Sequence, residues 1–276
     1  MKDIKNKFLN LYKEILNVLR KPVVSVLPGH LSFFLLLSSI PIIIIICMIA
    51  KTFSLSYDNL IDFVTKSLPA GTSRLILPLF NTPKPNISYF FLVVSAFYLA
   101  SRGTKSIILT SNNIYGVKRN AIQDFVKSII LTFMVILLMI FLSITLVLGE
   151  KILSLISSVD ALDFVSKNMI DWMSLFRWPI SFLFIFISIR FIYILTPNKK
   201  IKRKSVTKGS LFTTVSWIVI TFIYSFYMTN YASYDTYYGN ASNIIILMLW
   251  VFIISQLFVI GMIINSIEDK KLSKIE

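Results

Sequence analysis

Residues 31–50 read LSFFLLLSSIPIIIIICMIA, 20 consecutive residues without a charge. A helix rises about 1.5 Å per residue, so this run crosses a hydrocarbon core of about 30 Å. A secretory signal has a shorter apolar core followed by small residues at a cleavage site, so the run reads as a retained span. Further apolar runs at about 87–103, 128–148, 175–196, 209–231 and 242–264 bring the expected number of spans to six. Backbone polar groups find no water inside lipid, so such spans must be helical, and the expected fold is an all-α polytopic membrane protein. Hydrophobic residues make up 56% of the chain, above the roughly 45–50% of a soluble domain. No repeat or linker divides the sequence, and residues 1–276 read as a single membrane domain.

Residues 1–21 have a different pattern. Ile4, Phe8, Leu11, Ile15 and Leu19 recur at helical spacing, with Lys2, Lys5, Lys7, Lys13, Arg20 and Lys21 around them. This predicts an amphipathic basic helix ended by Pro22, suited to an anionic lipid surface; the other reading packs its stripe on the protein itself. Two further short helices are expected between spans, at 57–68 and 162–176.

Charge sets the expected orientation. The N-terminal segment, the second and fourth loops and the C-terminal tail hold 20 of the 28 Lys and Arg, against 7 in the alternate connections. Positive loops stay inside, so both termini are expected in the cytoplasm, with the chain multi-pass in the cell membrane. The turn at 231–240, YASYDTYYGN, has four tyrosines and no Lys or Arg, as an outer interface would. The basic inner face makes anionic membrane lipids the expected partners. The same rule accounts for the basic loops, so nucleic acid is not expected as a partner.

Chemistry is sparse. One His and one Cys exclude an internal disulfide and a His/Cys metal site. There is no phosphate-binding glycine loop, no HExxH and no GxSxG, and no cofactor is expected. The inner carboxylates, Asp3, Glu14, Asp124, Glu268, Asp269 and Glu276, have no histidine to pair with. The chain is therefore expected not to be an enzyme, and not a nuclease.

A substrate path has several candidate residues. Pro41 breaks the first span at mid-depth and frees a carbonyl, which serves either a structural kink or a site. Arg190, inside the fourth span, either snorkels to the headgroups or contacts an anion. Ser210, Thr214, Thr221 and Ser225 form a hydroxyl stripe facing Gln256 of the sixth span, which reads as helix packing or as a cavity wall.

Four segments taken together resemble a known family: PGHLSFFLLLSSIP, ASRGTKSIILTSNNIYGV, YILTPNKKIKRKSVTKGSLFTTVSW and FYMTNYASYDTYYGNASNIIILMLW. They are similar, in order, to the YihY/BrkB family of bacterial inner-membrane proteins, once labelled ribonuclease BN. The family pattern falls on Ser38, Pro41, Ser101, Gly103, Asn112, Tyr115, Gly116, Pro197, Asn198, Gly209, Trp217, Asn230, Tyr234, Tyr238, Gly239, Trp250, Gly261 and Asn265. The resemblance implies six membrane helices and an envelope role, and brings no catalytic residues. The function expected is transport or the handling of lipid or anion in the envelope; the alternative is a non-transporting scaffold or assembly factor. In cysteine-accessibility labelling, Thr236→Cys is expected to react from outside and Lys202→Cys only after permeabilisation; the reverse pattern overturns the orientation.

Overall fold

The computed structural model describes residues 2–38, 87–118, 120–137, 179, 182–231 and 240–274. Every regular element among the described residues is a helix. The 57–68 and 162–176 helices, Pro41 and most of the tyrosine-rich turn lie outside them.

Helix α1 is Lys2–Leu19. It breaks at residues 20–21, and α2 (Pro22–Ser25) starts on a proline, where a missing N–H costs nothing. The chain bends by 88° here, before helix α3 (residues 27–38) begins the first apolar run. That bend folds α1 back. Leu11, Ile15, Val18 and Leu19 consequently pack on the protein's own core rather than on lipid, and Glu14 meets Lys271 at 3.3 Å. For these residues the contacts fit the reading in which the stripe packs on the protein itself.

Helix α4 is Ile87–Tyr115, 29 residues and about 43 Å long at 1.5 Å per residue. The expected span ended at 103, but the helix runs on through Arg102 and Lys105. What ends it is Gly116, whose φ of 66° suits glycine. Val117 N–H bonds the Asn112 carbonyl at 2.9 Å and Gly116 N–H the Asn113 carbonyl at 3.3 Å, which satisfies two terminal carbonyls. Helix α5 (residues 121–137) begins at Asn120, whose Oδ1 accepts the Ile122 and Gln123 N–H groups at 3.2 Å.

Helices α6 (Phe182–Leu195), α7 (Thr207–Tyr231) and α8 (Asn240–Ser273) follow. Among the described residues two helices are long and apolar enough to cross a membrane, Thr207–Tyr227 and Ile245–Ser273, or three if the bent pair Leu9–Leu19 and Pro22–Ser38 is one span. Large apolar side chains stay on the outside of α7 and α8, including Phe222, Phe226, Met248 and Leu249. A soluble surface would rarely leave such side chains bare together; a lipid-facing one requires it.

α7 and α8 run antiparallel, and the pairing is read from its contacts. Gly209 meets Gly261 and Asn265; the Trp217 indole N–H donates to the Ile254 carbonyl at 3.0 Å; the Tyr224 and Trp250 rings lie 5.2 Å apart. A Cβ on Gly261 would collide with the Thr213 hydroxyl and come within 2.5 Å of the Tyr193 hydroxyl and 3.0 Å of the Gly209 carbonyl. Gly103 is equally confined, by Ser38 and the Phe34 carbonyl. Small residues here let helix backbones touch. The core, with Leu31, Ile107, Tyr193, Val206, Phe258 and Ile263 among its members, gathers at the basic end of the helices. Gly261→Ala is expected to cost about 1–3 kcal/mol by overpacking, measured as a fall in Tm of the detergent-purified protein; an unchanged Tm would show that the contact is loose.

Candidate functional site

The connection between α6 and α7, residues 196–206, is NKK- and KRK-rich, and charge repulsion alone would splay it into water. It is instead held down by side chains from four helices. α5 supplies Lys127, whose ammonium donates to the Pro197 carbonyl at 2.8 Å. α4 supplies Asn112, whose Oδ1 accepts the Asn198 N–H at 2.8 Å. The peptide between Pro197 and Asn198 is thus gripped at both poles. The Asn198 side-chain amide donates to Asp124 Oδ1 at 2.6 Å, and the Asn112 amide to the same oxygen at 3.2 Å. Asp124 sits in the first turn of α5, where the helix dipole favours a negative charge. Lys127 precedes the apolar run; burial pushes its ammonium below the usual lysine range, and the neighbouring Asp124 carboxylate pulls it partly back.

α8 supplies Asp269, which is only 4% exposed. Its carboxylate accepts from the Lys199 ammonium at 2.7 Å and the Ser205 hydroxyl at 3.4 Å, and the Lys202 N–H lies 3.5 Å away. α6 supplies Arg190, which donates to the Arg203 carbonyl at 3.2 Å. Its Nε is buried without a hydrogen-bond partner, and no carboxylate pairs with it among the described residues. Lys200, Arg203 and Lys204 point outward and exposed.

Below the loop lies a second buried cluster. Asn265 Oδ1 caps the start of α7 by accepting the Gly209 N–H at 2.8 Å. The Tyr193 hydroxyl donates to the Phe258 carbonyl at 2.8 Å and shares a 2.7 Å hydrogen bond with Thr213. Nearby, Thr104 reaches the Ser128 carbonyl at 2.9 Å and Thr132 at 2.7 Å, tying α4 to α5.

The expected hydroxyl stripe divides in two. Ser210 and Thr214 are fully buried, and each hydroxyl bonds a carbonyl of its own helix, Val206 at 2.6 Å and Ser210 at 2.9 Å. This inner half is packed against neighbours, as short hydroxyls in helices often are. Thr221 and Ser225 are exposed, and Gln256 is half-buried. Of the family-pattern positions, Asn112, Pro197 and Asn198 meet in one cluster and Gly209, Gly261 and Asn265 in the other. Ser101 is buried and bonds the Tyr98 carbonyl at 2.6 Å; Trp250 packs on Tyr224. Tyr234, Tyr238 and Gly239 lie outside the described residues. Asp124, Asp269, Lys127 and Tyr193 join the clusters without having been singled out as site residues from sequence.

The family model for virulence factor BrkB matches residues 16–275. The chain belongs to the BrkB family. It is similar to the putative ribonuclease-like protein YfkH of Bacillus subtilis, 28% identical over 251 residues, covering 88% of this chain and 89% of that protein. A UPF0761 membrane protein of Vibrio vulnificus is 28% identical over 252 residues, covering 86% of the chain and 75% of the relative. One from Vibrio cholerae is 28% identical over 268 residues, covering 92% and 84%. No solved structure matches. With the apolar helices, these relatives make the chain a membrane protein.

Asp269→Ala removes the only carboxylate that Lys199 pairs with among the described residues and frees the loop from α8. Trypsin is expected to cut this variant within residues 199–204 several-fold faster than the parent in detergent. Equal rates would mean that Asp269 does not hold the loop.

Proposed function

We propose that this BrkB-family chain handles an anion or an anionic lipid headgroup in the cell envelope, as a six-span protein of the cytoplasmic membrane with both termini inside. The observation that carries the reading is Arg190. Its guanidinium is half-buried, spends one donor on a carbonyl, keeps a buried Nε unbonded and meets no carboxylate among the described residues. A buried guanidinium N–H without an acceptor is costly unless a ligand completes it, and the planar fork fits phosphate. Arg203, whose carbonyl Arg190 touches, and the exposed Lys200 and Lys204 of the same loop raise the local concentration of anions. The exposed half of the stripe, Thr221 with Ser225, lies on α7, the helix that follows this loop.

A second reading, an envelope scaffold that moves nothing, draws support from the closed inner half of the stripe. Ser210 and Thr214 are fully buried and each hydroxyl is spent on a backbone carbonyl. A nuclease is not proposed, although one relative's name contains the word ribonuclease. Among the described residues no group of three His, Cys, Asp or Glu side chains is placed to hold a metal.

Purified protein in vesicles is expected to accelerate anion flux or lipid scrambling. Arg190→Ala should lower that rate roughly tenfold or more, the scale of one charge-assisted hydrogen bond, while Arg190→Lys retains part of it. The same preparation should leave structured RNA uncut with or without divalent metal. Parent vesicles indistinguishable from empty ones would favour the scaffold, and metal-dependent cutting would reopen the enzyme reading.

A further inference from the structure

The cluster beneath the loop contains two atoms of matching chemistry that nothing in the protein completes. Asp124 is 1% exposed, and its Oδ1 is saturated by the amides of Asn112 and Asn198. Its Oδ2 is buried with no hydrogen-bond partner. The side-chain oxygen of Asn198 is likewise buried with none. Both are acceptors, and they belong to residues already joined at 2.6 Å. Neither can satisfy the other.

We propose that Asp124 Oδ2 and Asn198 Oδ1 bind a small alkali cation. Two bare oxygens, one of them charged, make a hard donor pair of the kind that alkali and alkaline-earth ions take. The charge count selects between these. Asp124 is the one carboxylate in this cluster and the Lys127 ammonium stands near it, so a monovalent ion fits better than a divalent one, whose sites gather more carboxylate. Thr196 Oγ1, two residues before Asn198 on the same loop, is a further buried oxygen without a partner.

The other groups around the cluster are already committed. Asn112 Oδ1 accepts the Asn198 N–H, and the Asp124 N–H bonds the Asn120 carbonyl at 2.8 Å. Lys127 directs its ammonium to the Pro197 carbonyl and forms no ion pair with Asp124. Lys199 is drawn off to Asp269. No described cation comes within ion-pair distance of Asp124, although the Lys127 ammonium is near enough to interact with its charge, and leaving a buried carboxylate oxygen unsatisfied is expensive. A bound ion would tie α4, α5 and the loop through one point. The inference does not depend on the anion-handling reading, since it uses other residues and a binding measurement.

The test is thermal unfolding of the full-length protein in detergent, titrated with sodium, lithium or potassium chloride against choline chloride at equal ionic strength. A ligand that binds only the folded state raises Tm saturably. The expected result is a saturable rise with at least one alkali cation and none with choline. Asp124→Asn is expected to weaken the apparent affinity by ~10-fold or more, as loss of a metal-site carboxylate does. Should that variant fail to fold, Asn198→Asp supplies the second arm: a second carboxylate in the cluster should bind cations more tightly and extend the response to calcium. A rise that choline matches, no rise with any alkali cation, or a sodium response that Asp124→Asn and Asn198→Asp both leave unchanged overturns the site.

Discussion

Gly209 rests against Gly261 only because neither carries a side chain. The rest of the basic end is built on that contact. With the two backbones this close, Asn265 reaches the Gly209 N–H and caps α7, and Tyr193 from α6 reaches both Thr213 and the Phe258 carbonyl. The start of α7 is then fixed relative to α8, and the loop that feeds it has one place to lie. Trp217 extends the same seam by donating to the Ile254 carbonyl and stacking on Phe258, ring centroids 5.8 Å apart. Within lipid the hydrophobic effect does not drive helices together, so close packing of this kind and the hydrogen bonds that it permits must supply the association.

Above that seam, the basic loop illustrates how a cationic segment is kept ordered. The helices hold it mostly by its backbone: Lys127, Asn112 and Arg190 all contact main-chain atoms of the loop, and Asp269 adds the Lys199 ion pair. Main-chain anchoring leaves the exposed ammonium and guanidinium groups oriented outward without asking them to pair. Surface ion pairs such as Lys208–Glu268, at 2.7 Å but largely exposed, add little by comparison.

The residues that were legible in the sequence are those whose role is written locally. Charge-free runs located α7 and α8, and Pro22 marked the end of the first helix within two residues. Helix limits were less legible because hydropathy records where lipid stops, not where the helix stops. α4 continues to Tyr115 and α8 to Ser273 on polar residues that packing supports. Asp124 and Asp269 read only as inner carboxylates without a histidine to pair with; their partners Asn198 and Lys199 stand about 70 residues away, beyond any local pattern. The hydroxyl stripe was legible as a face of α7, but which half would be covered depended on neighbours that periodicity does not name. The stripe of α1 shows the same limit, since only the 88° bend decides what it meets.

The network around the loop also has an order in time. Asn112 and Asp124 are synthesised first, the loop next and Asp269 last, on the far end of α8. Until α8 is in place, the ribosome has delivered Lys199 without its carboxylate and Gly209 without the amide that caps it. A nascent chain therefore carries a cationic loop that α4, α5 and α6 can already grip, while its last ion pair and the cap of α7 form only when the final helix arrives.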